Sequence, residues 1–278
     1  MKALVSVLTS FVLVSSVIFT SALGHAYTGA GDKQSRKKQS KSADAQAASA
    51  ADPLHALTLM RQGATLLQQQ QYQEALLRFE QADKVSPGNA TVHNMIGLCY
   101  LHMEQHDKAL ASFNRALDLI PSYTDAQNNR GVTYLAARQY RLAEVDFVAV
   151  LSDSTYPHRW RVYYNLGMTY LQRDQLGAAE ENFRRAITAP QPVPDAYMRL
   201  SDLAHNQGNE TEAVDLLEEA HLKFPERTEV TLQLGQLLLE LGRFDEARPY
   251  LQQVIAKEPG SDRAEEAAQL LRTCLLYT

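Results

Sequence analysis

Cysteine and tryptophan are nearly missing from this chain. Its 278 residues include two cysteines, Cys99 and Cys274, and one tryptophan, Trp160. A disulfide between them is not expected, and neither gives a metal-ligand pair. Cys99 lies within an apolar helical segment and reads as a small buried hydrophobe. Cys99, His102 and His106 share i, i+3, i+7 spacing, but His106 falls at a turn where its face diverges, so no metal is expected there. A glycine-rich phosphate loop, an HExxH pair and a nucleophile elbow are also missing, so neither catalysis nor a cofactor is expected. Cationic excess is lacking as well: 27 Lys+Arg stand against 32 Asp+Glu, a net charge of −5. Residues 27–52 hold five Lys/Arg and three Asp/Glu, which leaves the rest more acidic still. An acidic body without a basic stripe argues against nucleic-acid binding. Trp160, flanked by Arg159 and Arg161, reads as a packing residue at an irregular junction.

What the chain does have is a repeat. In Ala90–Tyr123 two apolar-periodic segments, Val92–Glu104 and Lys108–Ile120, flank a polar break at Gln105-His106-Asp107. Gly97 and Ala109 are small enough for close helix approach, Tyr100 and Phe113 supply rings, and Pro121 ends the second segment. The small residue recurs at Gly63, Gly97, Gly131, Gly167, Ser201 and Gly235, at intervals of 34, 34, 36, 34 and 34. Twelve residues after each comes an alanine: Ala75, Ala109, Ala143, Ala179, Ala213 and Ala247. Four further on come Phe79, Phe113, Phe147, Phe183, Leu217 and Leu251. Pro87, Pro121, Pro225 and Pro259 close four of the six units.

This period and these residues resemble the tetratricopeptide repeat, a helix–turn–helix unit, from about Ala56 to Pro259. The resemblance implies an all-α, right-handed α-solenoid of six repeats. Expected boundaries are 56–89, 90–123, 124–159, 160–193, 194–227 and 228–261, within a repeat domain spanning 53–273. The third repeat gains two residues near Ser152–Pro157, and Ala189–Pro194 is expected to be an extended, stiff connection. A polar-faced capping helix begins at Ser261 or Asp262 and runs to about Leu271, presenting Glu265, Glu266, Gln269 and Arg272.

Residues 1–26 read as a secretory signal. Lys2 is the charged start, Leu4–Phe19 is apolar, and Gly24-His25-Ala26 makes a cleavage site. The alternative is an inner-membrane anchor formed by an uncleaved 3–23 segment. Residues 27–52 are a low-complexity linker with too little apolar surface to order itself. Its cluster Lys33, Arg36, Lys37, Lys38 and Lys41 is a solvated tether or a weak contact to an anionic membrane or cell-wall polymer. The last five residues, 274–278, look like a translated sequencing adapter, so the natural chain is expected to continue differently beyond Thr273.

In tetratricopeptide arrays the first helices line a concave groove. By that resemblance the groove residues here are Met60, Leu67, Asn94, Leu98, Leu101, Asn128, Val132, Leu135, Tyr164, Met168 and Leu171. They form an apolar floor with Asn94 and Asn128 as amide hooks, suited to an apolar or amphipathic segment of a protein partner. Asn129 and Asn165 extend the amides towards a short ladder. The groove turns polar at Asp202, His205 and Asn206. The basic clamp of chaperone-binding repeats is replaced by Met60, Asn94 and Asn128, so a carboxylate-gripping role is not expected.

The stretch 128–187 narrows the resemblance. NNRG at Asn128–Gly131, the two-residue expansion, Tyr156-Pro157-x-Arg159 and Asn165-Leu166-Gly167 resemble the type IV pilus biogenesis and stability family, PilW-like, also called pilotins. That resemblance implies a noncatalytic, periplasmic scaffold that helps an outer-membrane secretin assemble. Members usually carry a lipobox cysteine after the apolar run, and none is present here. A generic exported repeat adaptor in envelope assembly, or a regulatory part of a larger protein, are the other readings.

Overall fold

The computed structural model describes residues 53–276. The signal at 1–26, the linker at 27–52 and the final two residues of 274–278 lie outside the described residues. The described chain is all helix and turn. Thirteen helices follow one another: α1 Pro53–Gln68, α2 Tyr72–Val85, α3 Ala90–His102, α4 His106–Leu119, α5 Thr124–Ala136, α6 Tyr140–Ser152 and α7 Arg159–Leu171, then α8 Leu176–Ile187, α9 Pro194–Asn206, α10 Glu210–Lys223, α11 Thr228–Glu240, α12 Phe244–Lys257 and α13 Asp262–Leu276. Backbone contacts divide the described residues into two compact units, with the boundary between Asp146 and Phe147 inside α6.

Within each unit the helices pair in sequence. In the first unit α1 packs on α2 and α3 on α4, and the second helix of each pair also packs on the first helix of the next. The second unit repeats the scheme with α7–α8, α9–α10 and α11–α12, and α13 covers α12 and α11. First helices touch one another too, α1 on α3 and α3 on α5, then α9 on α11 and α11 on α13. No pair buries its apolar stripe alone. Leu59, Phe79, Val92, Ile96 and Cys99, drawn from α1, α2 and α3, form one core cluster.

The repeating small residue sets the depth of each pairing. A β-carbon on Gly63 would lie 2.8 Å from the Phe79 ring, and one on Gly167 would lie 2.7 Å from Phe183. Those rings and alanines 75, 82, 109, 116, 179 and 186 are fully buried. At Ser201 the hydroxyl donates to the Ala213 carbonyl at 2.8 Å, and the facing ring has become Leu217. A smaller partner thus accompanies the larger residue.

Each pair turns through one left-handed residue: Gln70, Glu104, Arg138, Asp174, Gly208 and Gly242, with φ between 58 and 79°. The following amide then reaches back five residues in every case, for example Gln105 N–H to the Tyr100 carbonyl at 2.9 Å and Gln175 N–H to Tyr170 at 3.0 Å. This is the Schellman termination, which satisfies carbonyls left open at a helix end. It places the polar break of the second repeat at Met103–Gln105, two residues before the position expected from hydrophobicity, because Glu104 stops α3. His106 and Asp107 open α4 instead.

Two other boundaries differ from expectation. Pro194 does not belong to the extended connection: it is the first residue of α9, where a missing N–H costs no hydrogen bond. The capping helix runs to Leu276, five residues beyond Leu271. Its start follows the sequence, with the Ala264 N–H donating to Ser261 Oγ at 3.1 Å. Ala264 and Ala267 face inward, while Glu265, Glu266, Gln269 and Arg272 are exposed.

The expansion in the third repeat is tied down by arginine. Arg159 donates to the Leu151 and Asp153 carbonyls, both at 2.8 Å, and to the Tyr163 hydroxyl at 3.1 Å. Asp153 accepts from the Thr155 amide at 2.9 Å. Tyr156 is buried, and Trp160 is half-buried, edge-on to His158.

Candidate partner-binding face

In the first unit the face offered by the first helices is set by α1, α3 and α5. Met60, Leu98, Leu101, Val132 and Leu135 on these helices are all buried. Leu67 remains half-buried against the core of α1, α2 and α3. Of the apolar residues expected along the groove in this unit, Leu67 is the one that solvent reaches. Cys99 is a free thiol in the same core, and burial pushes it up to about 12, so it is un-ionised and inert at neutral pH.

The amides lie deeper than hooks. Asn94, Asn128 and Asn129 are almost fully buried, and Asn129 Nδ2 donates to Asn94 Oδ1 at 3.0 Å, linking α5 to α3. Asn94 and Asn128 hold the same position in successive repeats. The bond goes to Asn129 because α5 presents its next residue to α3. Asn128 Oδ1 and Asn129 Oδ1 find no hydrogen-bond partner among the described residues. Tyr123 approaches Thr91 and Asn94 with its hydroxyl, and burial raises its phenol above the ordinary value.

At the back of this unit, Arg130 of α5 grips Asp146 of α6 in a two-pronged pair, Nε to Oδ2 at 2.8 Å and Nη2 to Oδ1 at 2.7 Å. Its Nη1 donates to Asn114 Oδ1 of α4 at 2.8 Å. The Asp146 side chain is 2% exposed and Arg130 is 23% exposed. Hydrogen bonding to Asp146 raises the guanidinium further above its already high value. Nothing in the spacing of these residues announces the cluster.

In the second unit the floor changes character. Tyr164 is fully buried, leaving Met168 and Leu171 of α7 as the half-buried apolar residues. Burial, assisted by Asp195, pushes the Tyr164 phenol to about 12, so it stays a neutral hydroxyl. Asn165 is buried with both amide atoms unpartnered among the described residues. On α9, α11 and α13 the face is polar. Gln233 donates to Asp202 Oδ1 at 2.7 Å, Gln236 donates to Glu266 at 2.8 Å, and His205 Nε2 lies 3.4 Å from Glu240. Arg199 stands 3.4 Å from Asp202. Asp202 and His205 lie on the stretch where the sequence turns polar; the contact of Gln233 with Asp202 and that of Gln236 with Glu266 have no signal in the spacing, because stacking of successive repeats joins them.

An open cleft of about 680 Å³ lies at the α8–α9 connection, lined by Pro190, Pro192, Tyr197, Glu219, Lys223 and Phe224. Its polar groups satisfy one another: Lys223 Nζ donates to Tyr197 Oη at 2.7 Å and to Glu219 at 2.6 Å. Among the described residues no cluster of three or more His, Cys, Asp or Glu is placed to hold a metal ion. His102 instead stacks flat on Tyr72, centroids 4.6 Å apart. No helix among the described residues is long and apolar enough to cross a membrane.

Comparison with known proteins agrees with this geometry. Two tetratricopeptide repeat models match, one over residues 66–131 and 204–272 and the other over 128–193 and 164–226. No curated protein sequence matches the chain. Among solved structures, PilW, a widely conserved type IV pilus biogenesis factor, aligns with TM-score 0.66 at 24% identity, covering 79% of this chain and 98% of its own. The pilF protein of Pseudomonas aeruginosa aligns with TM-score 0.64 at 20% identity, covering 77% and 97%. A tetratricopeptide repeat protein of Parabacteroides merdae aligns with TM-score 0.59 at 21% identity, covering 84% and 89%. At these identities the likeness is one of fold. With the matches running unbroken from residue 66 to 272, more than half of the chain, this protein belongs to the tetratricopeptide repeat family.

Proposed function

We propose that this chain is an exported, noncatalytic scaffold whose first-helix faces hold a segment of a protein partner, and that the partner is an outer-membrane secretin of a type IV pilus. One observation carries the reading. In the first unit the first helices carry half-buried Leu67 and a buried Asn128 Oδ1, and in the second unit half-buried Met168 and Leu171 and a buried Asn165, and neither Asn128 Oδ1 nor the Asn165 amide atoms have a partner among the described residues. Buried amide groups left unpaired cost about 1–3 kcal/mol each, and this cost falls when a segment, or water it traps, supplies the missing bonds. The fold likeness to PilW and pilF, spanning nearly the whole of both chains, supports the pilus assignment. The apolar stretch at the start of the sequence supports export, with the periplasm as destination.

Two of the expected groove residues are poor probes. Leu101 and Leu135 are 7% and 8% exposed, so glutamate there would disturb packing before it disturbed capture. The test uses Leu67→Glu, Met168→Glu and Leu171→Glu in the full chain, crosslinked in envelope extract. Recovery of the secretin subunit, reduced at least tenfold by the triple variant at unchanged helical circular dichroism, is the expected result. Equal recovery by the variant discards the face. Recovery of other envelope proteins without secretin favours the adaptor reading.

A further inference from the structure

The cleft at the α8–α9 connection exists because the repeat period fails there. Helix α8 has 12 residues, against 14 in α10 and 14 in α12. The connection that follows it, 188–193, is longer than its counterparts at 224–227 and 258–261. A shortened helix and a lengthened connection leave about 680 Å³ open against the end of α10. That volume lies within the usual span of ligand clefts, and apolar groups make up most of the lining. Pro190 and Pro192 stiffen the connection, and Phe224 meets Tyr197 edge-on, centroids 6.3 Å apart. Tyr197 is fully buried, so it marks the depth of the cleft.

The polar groups here hold one another in place and still keep bonding capacity. Lys223 Nζ donates to Tyr197 Oη and to Glu219 Oε1, which uses two of the three N–H groups of an ammonium. Tyr197 Oη donates to Glu219 Oε1 at 2.9 Å. Both bonds to the carboxylate fall on Oε1, and Oε2 has no hydrogen-bond partner among the described residues. Bonding to Lys223 lowers the Glu219 carboxyl and bonding to Glu219 raises the Lys223 ammonium, so both are charged at neutral pH. One donor and one acceptor therefore remain side by side on a frame fixed by a buried phenol. A second observation comes from the same helix. Leu222, three residues beyond Glu219, is 79% exposed, more than any other large apolar residue described. The matching position in the other repeats holds Lys84, Asp118, Ser152, Thr188 or Ala256, none of them large and apolar.

We infer that this cleft binds an uncharged, extended peptide segment bearing apolar side chains, with a backbone amide of that segment paired to Lys223 and Glu219. Complementarity selects the occupant. An amide offers one C=O to the ammonium and one N–H to the carboxylate, and an extended chain leaves both free, whereas a helix spends them internally. A ligand carboxylate would meet Glu219 and a ligand ammonium would meet Lys223, so either charge is disfavoured. Apolar side chains find the prolines and Phe224 within the cleft and Leu222 at its rim. Met168 and Leu171, which the proposed function assigns to a partner, do not line this cleft, so the two readings can fail separately.

The probe is the capped peptide acetyl-Gly-Leu-Tyr-Leu-Gly-amide, titrated into the full chain and followed by 1H–15N NMR. Saturable shifts are expected at Tyr197, Leu222 and Lys223. Two analogues, with aspartate or lysine in place of the first glycine, should each bind about fivefold more weakly. In Glu219→Gln, Lys223 loses its counter-charge, and the aspartate analogue should become the tightest of the three. Leu222→Ser should weaken all three alike, and thermal melts check that both variants fold. Absence of saturable shifts at these residues overturns the inference, as does equal binding by all three peptides or an order that Glu219→Gln leaves unchanged. Concentration-dependent shifts at the cleft without peptide also overturn it and give the cleft to a second copy of the chain. Shifts confined to Met168 and Leu171 sink this inference and leave the proposed function standing.

Discussion

The ring of Phe113 lies so close to Gly97 that a β-carbon on the glycine would come within 2.5 Å of Cε1. The ring belongs to α4 and the glycine to α3, and both are buried, so neither can move aside cheaply. Gly97→Ala should lower stability by about 1–3 kcal/mol, the usual cost of overpacking, even though alanine is the better helix former. Phe113→Leu should cost about 1–2 kcal/mol alone and recover much of the loss in the double variant. The second unit already contains that compromise at Ser201 with Leu217. Urea melts of the four forms give the coupling; strict additivity would show that the contact is not what limits α3 and α4.

Four of the six intra-pair turns place a side chain in the left-handed region, at Gln70, Glu104, Arg138 and Asp174. A β-carbon there costs roughly 1 kcal/mol, and glycine avoids it at some cost in unfolded-state entropy. Glu104→Gly and Arg138→Gly should each raise stability by about 0.5–1 kcal/mol, while Gly208→Ala should lower it by about 1 kcal/mol. Thermal denaturation in parallel reads all three.

Asp146 is buried and bonded on both oxygens by Arg130. Asp146→Ala leaves the guanidinium without its partner and should cost about 3 kcal/mol, more than most surface changes. Replacing both residues with apolar groups of similar size should cost less than Asp146→Ala alone. A two-state urea titration checks the order, and a loss under 1 kcal/mol would show that Asn114 and solvent compensate Arg130.

His102 and His221 carry a pH signature. Burial lowers both imidazoles below the ordinary 6.5, with Lys257 adding to the effect at His221 and Glu218 opposing it. His221 also bonds Thr231 and meets Tyr250 edge-on. The unfolded chain then binds protons more readily than the folded one as pH falls past 6.5. Their contribution is intact above that value, is lost as pH drops through it, and levels off below the lowered folded values. Melting temperature should fall between pH 7 and 5, and His102→Gln with His221→Gln should flatten that fall.

Much of the fold could be read from one dimension because each repeat is local. Gly97 and Phe113 are sixteen residues apart, and their meeting follows from two short helices and a tight turn. The turn itself was less legible: hydrophobicity put the break at Gln105–Asp107, whereas glutamate at 104 takes a conformation that composition favours only for glycine or asparagine. The apolar floor was legible as apolar but not as floor. Leucines at one face of a first helix look alike in sequence, and only stacking decides that Leu101 and Leu135 are covered while Leu67 and Leu171 are not.

The order of residues by itself determined the helix pairs, their period and their small-to-large contacts, because those depend on neighbours within about forty positions. Tertiary structure alone decided that Asn129 rather than Asn128 bonds Asn94, that Arg130 clasps Asp146, and that Gln233 and Gln236 hold Asp202 and Glu266. Those pairings depend on the rotation of one helix against another, a few tens of degrees that set which side chains meet and that no periodicity in the chain records.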